Sequence, residues 1–332
     1  MKKTFVLLII GIFVLCTFWF YQLYTSSLSY SLNPDSENRV VVKIEKGSSA
    51  NKIINILKEK DLIKSPFIFK LYLKQNNLGN QLKAGNFILK ENYNLKKIVK
   101  TLVEGKGSEL PVTILEGWTI KQIAEHLEKK GLTKSSEFLS CIKTCKFEFD
   151  FLPKGYLEGY LYPDTYFVNI NNFNNKLFIS RMIQTLEHRL SDSDWKAIKS
   201  SKYSFEQIMI MASIIEKEER NAKEQPKVAD ILWSRFDKKV ALGADATVLY
   251  ALGRTKGGLT YNDLQIDSPY NTRKKRGLPP TPISSPSMSS IKAAIYPKKT
   301  DYFYYLHGSD GKIHYAKTLA GHNENKMKYI NN

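Results

Sequence analysis

The alternation of apolar and polar positions divides the chain into an unbroken apolar start, two related amphipathic stretches and a long mixed remainder. No charge falls between Lys3 and Asp35, and the apolar run from Phe5 to Tyr24 matches the ~20 residues a helix needs to cross hydrocarbon. Lys2 and Lys3 precede it, so the positive-inside bias keeps the N-terminus in the cytoplasm and sends the rest of the chain across. Trp19, Phe20, Tyr21 and Tyr24 suit the exit interface. A cleaved signal peptide would have a shorter apolar core and a small-residue cleavage site. A lipoprotein would be processed at Cys16, where the preceding Leu15 is too bulky. Residues 1–27 are therefore expected to be a cytoplasmic stub and an uncleaved transmembrane anchor.

The next two stretches repeat at a constant offset of 70: Ile44 with Ile114, Gly47 with Gly117, Ile53 with Ile123, Leu57 with Leu127, Leu62 with Leu132. Each reads as strand, glycine turn and amphipathic helix, with Asp61 or Gly131 where the helix stops. The first copy continues through "SPFIFKLYLKQ" and "AGNFIL", which predicts a β-α-α-β module over residues 38–108. Such a unit resembles the LysM-like modules that hold aminosugar polymers; a plain packing or spacing module is the alternative. Residues 109–148 carry the second copy and lead into the remainder.

Residues 149–330 differ in texture. "EGYLYPDTYF", "LGADATVLYALG", "DSPYNTRKKRGLPPTPISSPS" and "YFYYLHGSDGKIHYAKTLAGHN" mix polar and aromatic residues with Gly and Pro, which indicates ordered loops on a scaffold. The last of them reads as a hairpin turning at Ser309 to Gly311. Between them lies "MIMASIIEKEER", Met209 to Arg220. Seven of the eight residues from Ile208 to Ile215 are apolar, the mark of a buried helix, and then Glu216, Glu218 and Glu219 arrive. Helical spacing puts Glu218 with Met211, Ile214 and Ile215, the more apolar face, and Glu216 with Met209, Ala212 and Ser213. Glu219 is expected to face solvent. The bland alternative is a solvated helix end paired with Lys217 and Arg220.

Composition narrows the classes. The chain has 332 residues, 42% apolar, enough for two domains or one large one with smaller modules. Fifty Lys and Arg against 32 Asp and Glu, +18 net, favour an anionic lipid surface or an acidic polymer. No nucleic-acid fold signature accompanies that charge. Cys141 and Cys145 sit four apart, within reach of a disulfide or left as two thiols, with too few neighbouring soft ligands for zinc. His314 and His322 suggest no metal, and no cofactor is implied.

These strings, in this order and over nearly the whole chain, resemble the endolytic murein transglycosylases, the YceG-like family. The pieces that carry the resemblance are "EGYLYPDTY", "MASIIEKE", "DATVLY", "YNTRKKRGLPPTPISSPS" and the closing His-Asn. The chain departs from the pattern at Glu219, where the family commonly has Thr, and at Gly243 and Ala244, where Gln-Ser or Gln-Thr usually precedes the Asp. The resemblance implies an α+β catalytic domain behind the anchor and LysM-like segment. It also implies cleavage of the β-1,4 bond after N-acetylmuramic acid within nascent strands, leaving 1,6-anhydro ends and ending glycan elongation. The catalytic glutamate of the motif falls on Glu218. One carboxyl suffices if the sugar's own 6-hydroxyl attacks, provided burial keeps that carboxyl protonated near neutral pH.

Around it, Glu216 is a candidate for a structural or substrate-orienting hydrogen bond. Tyr162, with Tyr160 and Tyr166, suits sugar stacking. Asp164 is a turn residue or a contact. Asp245 and Thr247 either cap the following helix or line the cleft. Asn271 and Thr272 have the chemistry for N-acetyl and hydroxyl groups, and the basic run Arg273 to Arg276 could meet muramyl carboxylates. Expected partners are peptidoglycan strands, the inner membrane and glycan polymerases, penicillin-binding proteins among them. The rival classes are a non-catalytic glycan-binding scaffold and a hydrolytic muramidase, which needs a second carboxylate and would look to Asp245 for it.

Overall fold

The computed structural model describes residues 2–105 and 109–330, with side chains described from residue 9 onwards. Lys2 and Lys3 as side chains, and residues 106–108 at the end of the expected module, lie outside the described residues. The fold mixes helices with two-stranded sheets and separates into two compact units, Met1–Pro111 with Phe167–Phe173, and Val112–Tyr166 with Asn174–Asn332.

The first unit begins with helix α1 (Lys2–Ser29), long and apolar enough to cross a membrane by length and composition. Strand β1 (Arg39–Ile44), helices α2 (Ala50–Glu59) and α3 (Pro66–Gln75), strand β2 (Gly85–Lys90) and helix α4 (Leu95–Glu104) follow. The order strand, helix, helix, strand is the one the periodicity predicts. β1 and β2 pair antiparallel from Arg39 opposite Lys90 to Ile44 opposite Gly85. Their inward side chains, Val42, Ile44, Phe87 and Leu89, meet Ile53, Leu57, Phe69 and Ile98 from the helices in one core. Leu23, Tyr24 and Leu28 of α1 pack against that same core.

After the first unit's helices the chain runs β3 (Glu109–Thr113), α5 (Ile120–Lys129), α6 (Ser135–Thr144), β4 (Thr165–Asn169), α7 (Asn175–Arg189), α8 (Asp192–Ser200), α9 (Phe205–Glu218), α10 (Gln225–Asp237), α11 (Asp245–Ala251), α12 (Tyr261–Leu264), α13 (Met288–Ile295), β5 (Tyr304–His307), β6 (Ile313–Ala316) and α14 (Leu319–Tyr329), all of the helices from α5 onwards belonging to the second unit. β3 pairs with β4, and β5 with β6 as the expected hairpin. Cys141 and Cys145, at the end of α6, are joined as a disulfide.

The repeat is visible in hydrogen bonds as well as in sequence. Ser49 and Thr119 each cap the helix that follows, by accepting from the amide three residues on. Both helices then stop at a left-handed residue, Asp61 (φ 54°) or Gly131 (φ 68°), and close with the same six-residue bond, Leu62 N to Leu57 O and Leu132 N to Leu127 O.

Helix α9 is the centre of the second unit. Every residue from Ile208 to Ile215 is buried, packed by α10, α11 and α13. The capping box of Ser204 and Gln207 fixes its start. Gly159, in the "EGY" string, has φ +87°, and a Cβ there would lie 2.4 Å from Pro282 Cβ. Gly159→Ala is therefore expected to destabilise the protein by ~2 kcal/mol or more, from left-handed backbone strain plus overpacking. A thermal melt checks this, and an unchanged melting temperature contradicts the close approach.

Candidate active site

The end of α9 is tied down from two loops. Ser213 Oγ accepts from Ile283 N at 3.0 Å, while Ser284 Oγ donates to Ser213 O at 3.3 Å. Glu216 Oε2 accepts from Ser287 N (2.9 Å), Ser287 Oγ (2.5 Å) and Ser290 Oγ (2.7 Å), so it anchors the start of α13. Lys217 Nζ donates to Gly117 O at 2.9 Å. Gly117 N in turn donates to Ser285 O, and Ser285 N to Trp118 O, each at 2.7 Å. The "PISSPS" string and the glycine turn of the second repeat copy thus form a frame around the last turn of α9.

That turn opens on a cleft of about 980 Å³, lined by Glu216, Lys217, Glu218, Arg220, Asp164, Asp245 and the 113–117 turn among others. Glu218 is the last residue of α9. Burial is the main reason its carboxyl is held above the usual glutamate range, and the negative charge of Asp245 adds to the effect. A helix C-terminus, with its partial negative charge, opposes ionisation too. In the other direction, Tyr305 OH donates to Glu218 Oε2 at 2.9 Å, and His307 and the Ala246 amide favour the charged form. Tyr305 is itself pushed well above the usual tyrosine range by burial and by Glu218, so it serves as a donor at any working pH. Behind the cleft wall, burial pushes Glu158 up to about 7. Its Oε1 accepts from Ile120 N at 3.0 Å and its Oε2 from Tyr250 OH at 3.2 Å.

The remaining predicted residues divide by position. Asp164 and Asp245 do line the cleft, each in an ion pair: Asp164 with Arg189 at 2.6 Å, Asp245 with Arg273 at 2.5 Å. Tyr162, Tyr160 and Tyr166 are buried core residues, which corrects the stacking expectation, since no ring face is open to a sugar. Thr247, Asn271 and Thr272 are buried as well, and their polar groups are satisfied inside the protein. Thr247 Oγ1 bonds Ala244 O and Thr272 Oγ1, while Asn271 Nδ2 donates to Leu264 O and Ile266 O. They build the turn that carries Asp245 and offer nothing to a glycan directly. Of the basic run, Arg273, Lys274 and Lys275 are engaged with Asp245, Gln265 O and Asp267.

Glu219 corrects the helical-wheel expectation most clearly. It is 6% exposed; its Oε1 accepts from Asn221 N at 2.7 Å and its Oε2 lies 3.1 Å from His307 Nε2. The wheel fails because the helix has ended: Glu219 has extended backbone, φ −138° and ψ 120°, so the rotation of ~100° per residue no longer applies. Tyr305 and His307 were missed as site residues. The only available signal was strand alternation in "YYLH", which places positions 305 and 307 on one side of β5 but does not say what they meet.

Comparison with known proteins agrees with this architecture. Residues 42–328 match the YceG-like family, and the chain belongs to that family. It is 36% identical over 324 residues to the endolytic murein transglycosylase of Bacillus subtilis (strain 168), covering 93% of this chain and 89% of that protein. The endolytic murein transglycosylase of Streptococcus pneumoniae (serotype 2, strain D39) is 29% identical over 346 residues, 94% of this chain and 62% of that one. The crystal structure of the YceG-like protein of Listeria monocytogenes superposes with a TM-score of 0.59 at 35% identity, over 87% of this chain and 99% of that chain.

A carboxyl whose native pKa is raised stabilises the fold only while protonated. Stability from Glu218 is complete below the ordinary value of 4.5 and declines as pH rises through the higher native value. Glu158 adds a contribution of the same sign to every variant that retains it. Glu218→Gln is thus expected to match the wild type in acid and to melt increasingly above it as pH rises toward 8. Parallel melting curves across that range would contradict the desolvated carboxyl.

Proposed function

We propose that the protein cleaves the β-1,4 bond after N-acetylmuramic acid within peptidoglycan strands by lytic transglycosylation, with Glu218 as its single acid and base. The observation that carries this reading is a carboxyl on the wall of an open cleft that burial makes hold its proton more tightly than an ordinary glutamate. The chain's relatives bear the name endolytic murein transglycosylase.

In the reaction the C1–O4 bond breaks as Glu218 gives its proton to O4 of the departing N-acetylglucosamine. The muramyl 6-hydroxyl then forms the O6–C1 bond, and the Glu218 carboxylate takes the 6-hydroxyl proton. No water is consumed and the acid is regenerated. An attacking group already on the same ring can contribute ~7 kcal/mol or more, which is why a second carboxylate is not required. Tyr305 favours the charge that Glu218 acquires midway, and this stabilisation is greater in the transition state than in the ground state. Asp164, Asp245 and Glu216 face the strand, whereas Tyr162, Thr247, Asn271 and Thr272 act from behind by holding the loops.

A hydrolytic muramidase would need Asp245 or another carboxylate to activate water ~5–10 Å from Glu218. Asp245 is already paired with Arg273, which disfavours that role. The first unit, as a LysM-like module, would guide strands. The anchor, N-terminus in the cytoplasm, would confine cutting to new glycan at the outer face of the inner membrane, beside polymerases such as penicillin-binding proteins. A disulfide at Cys141 and Cys145 suits that oxidising side.

The test is mass spectrometry of products from purified uncrosslinked strands. Wild type is expected to leave 1,6-anhydro ends within strands; reducing ends in their place would make it a hydrolase. Glu218→Gln, folded by melt, is expected to lose at least ~10²-fold. Tyr305→Phe should lose about tenfold or more in kcat, as a hydrogen bond to a charged group disappears. Full activity in Glu218→Gln would remove the proposed mechanism.

A further inference from the structure

The end of α1 is not a free tether. Its side chains are exposed from Ile9 through Gln22 and then become covered, as Leu23, Tyr24 and Leu28 enter the core of the first unit. If α1 crosses a membrane, as read above, residues 4–22 are the part left for hydrocarbon. At ~1.5 Å per residue they span about 28 Å, close to the ~30 Å of a bilayer core. The headgroup layer adds ~5–8 Å on each side, so it surrounds the next few residues, the level of Tyr24 and Ser26.

Helix α3 is fastened at that level from both ends. Tyr24 OH donates to Gln75 Oε1 at 2.9 Å, at the C-terminal end of α3. Lys64 Nζ, just before its N-terminal end, donates to Ser26 Oγ at 3.3 Å. α3 buries Ile68, Phe69 and Leu73 inwards and turns Phe67, Lys70 and Lys74 out. These sit three and four positions apart on one face. Phe67 is 63% exposed, a large apolar ring standing in solvent between lysines. The segment from Lys64 to Gln75 holds no acid, and none of its lysines forms an ion pair among the described residues. An exposed aromatic ring flanked by unpaired lysines is the composition of a helix that lies in a membrane interface.

We propose that the face of α3 formed by Lys64, Phe67, Lys70 and Lys74 is a membrane-contact surface that takes anionic phospholipid headgroups, with Phe67 dipping between them. This rests on the anchor reading of α1. The consequence is orientation: one helix through the bilayer and a second lying on it would fix the tilt of the first unit, which a single span leaves free.

The test uses the full chain in vesicles. Cys16 is the one free cysteine among the described residues, so a Cys16→Ser background with Phe67→Cys carries one environment-sensitive fluorophore at position 67. Emission is expected to shift to the blue in vesicles with roughly a third phosphatidylglycerol relative to phosphatidylcholine alone, because each lysine near an anionic surface adds about fivefold to local binding. Concentrated salt should reverse the shift. Lys64→Gln, Lys70→Gln and Lys74→Gln together should abolish it while the protein stays resistant to carbonate extraction. In unlabelled protein, hydrogen exchange across residues 64–75 should slow in the anionic vesicles only. A label that stays water-exposed, with unchanged exchange in a carbonate-resistant protein, overturns the surface and leaves the anchor. Extraction by carbonate overturns the anchor itself. A shift produced in neutral vesicles by adding an anionic wall polymer assigns the face to that polymer and overturns the membrane proposal.

Discussion

The Glu218 carboxyl stands where α9 ends, and its surroundings pull in opposite directions. Burial, the Asp245 charge and the C-terminal helix dipole oppose ionisation, while Tyr305, His307 and the Ala246 amide favour it. A group in that balance must be held still, since a modest movement toward water would restore an ordinary carboxylate. The packing of the second unit answers this need. α9 is buried from Ile208 to Ile215, and its end is bonded through Ser213, Glu216 and Lys217 to the 283–290 segment and the Gly117 turn. Glu216, two residues before the proposed acid, therefore acts first as a rivet for α13. Its three donors explain why a run of serines follows the proline-rich loop.

The same helix end shows how far the sequence could be read. An apolar run meeting acids announced a buried helix and a desolvated carboxyl, and periodicity chose the face of Glu218 over that of Glu216. Periodicity also recovered the β1–α2–α3–β2 order and the repeat, because both depend on local spacing and on residues that stop helices. It failed one residue later at Glu219, where the backbone leaves the helix and the wheel has no meaning. Side-chain chemistry, not periodicity, pointed to Tyr162, Asn271 and Thr272 as sugar contacts, and all three are buried. Residue type says what a side chain can do; only tertiary packing says what it meets. Tyr305 and His307 were invisible for that reason, being brought to α9 by a hairpin nearly ninety positions away.

The two repeat copies illustrate how one local solution serves different ends. Both use the same cap, the same left-handed stop and the same closing bond. In the first unit the helix joins a core into which the end of α1 is also packed. In the second the glycine turn supports the cleft, with Gly117 O receiving Lys217 and Gly117 N donating to Ser285. The family membership of the chain covers both units, while the carboxyl proposed to act, Glu218, lies in the second.

The central claim is that one desolvated carboxyl holds its proton more tightly than an ordinary glutamate, and direct titration reaches it without passing through activity. Side-chain ¹³C-labelled glutamate, with the Glu218 signal assigned by its loss in Glu218→Gln, can be followed by NMR from acid to alkaline pH. The account predicts a Glu218 carboxyl that titrates clearly above the ordinary value of 4.5, and that moves higher still in Tyr305→Phe, where a bond favouring the charged form is gone. A carboxyl that titrates at the ordinary value and does not respond to loss of the Tyr305 hydroxyl would contradict it.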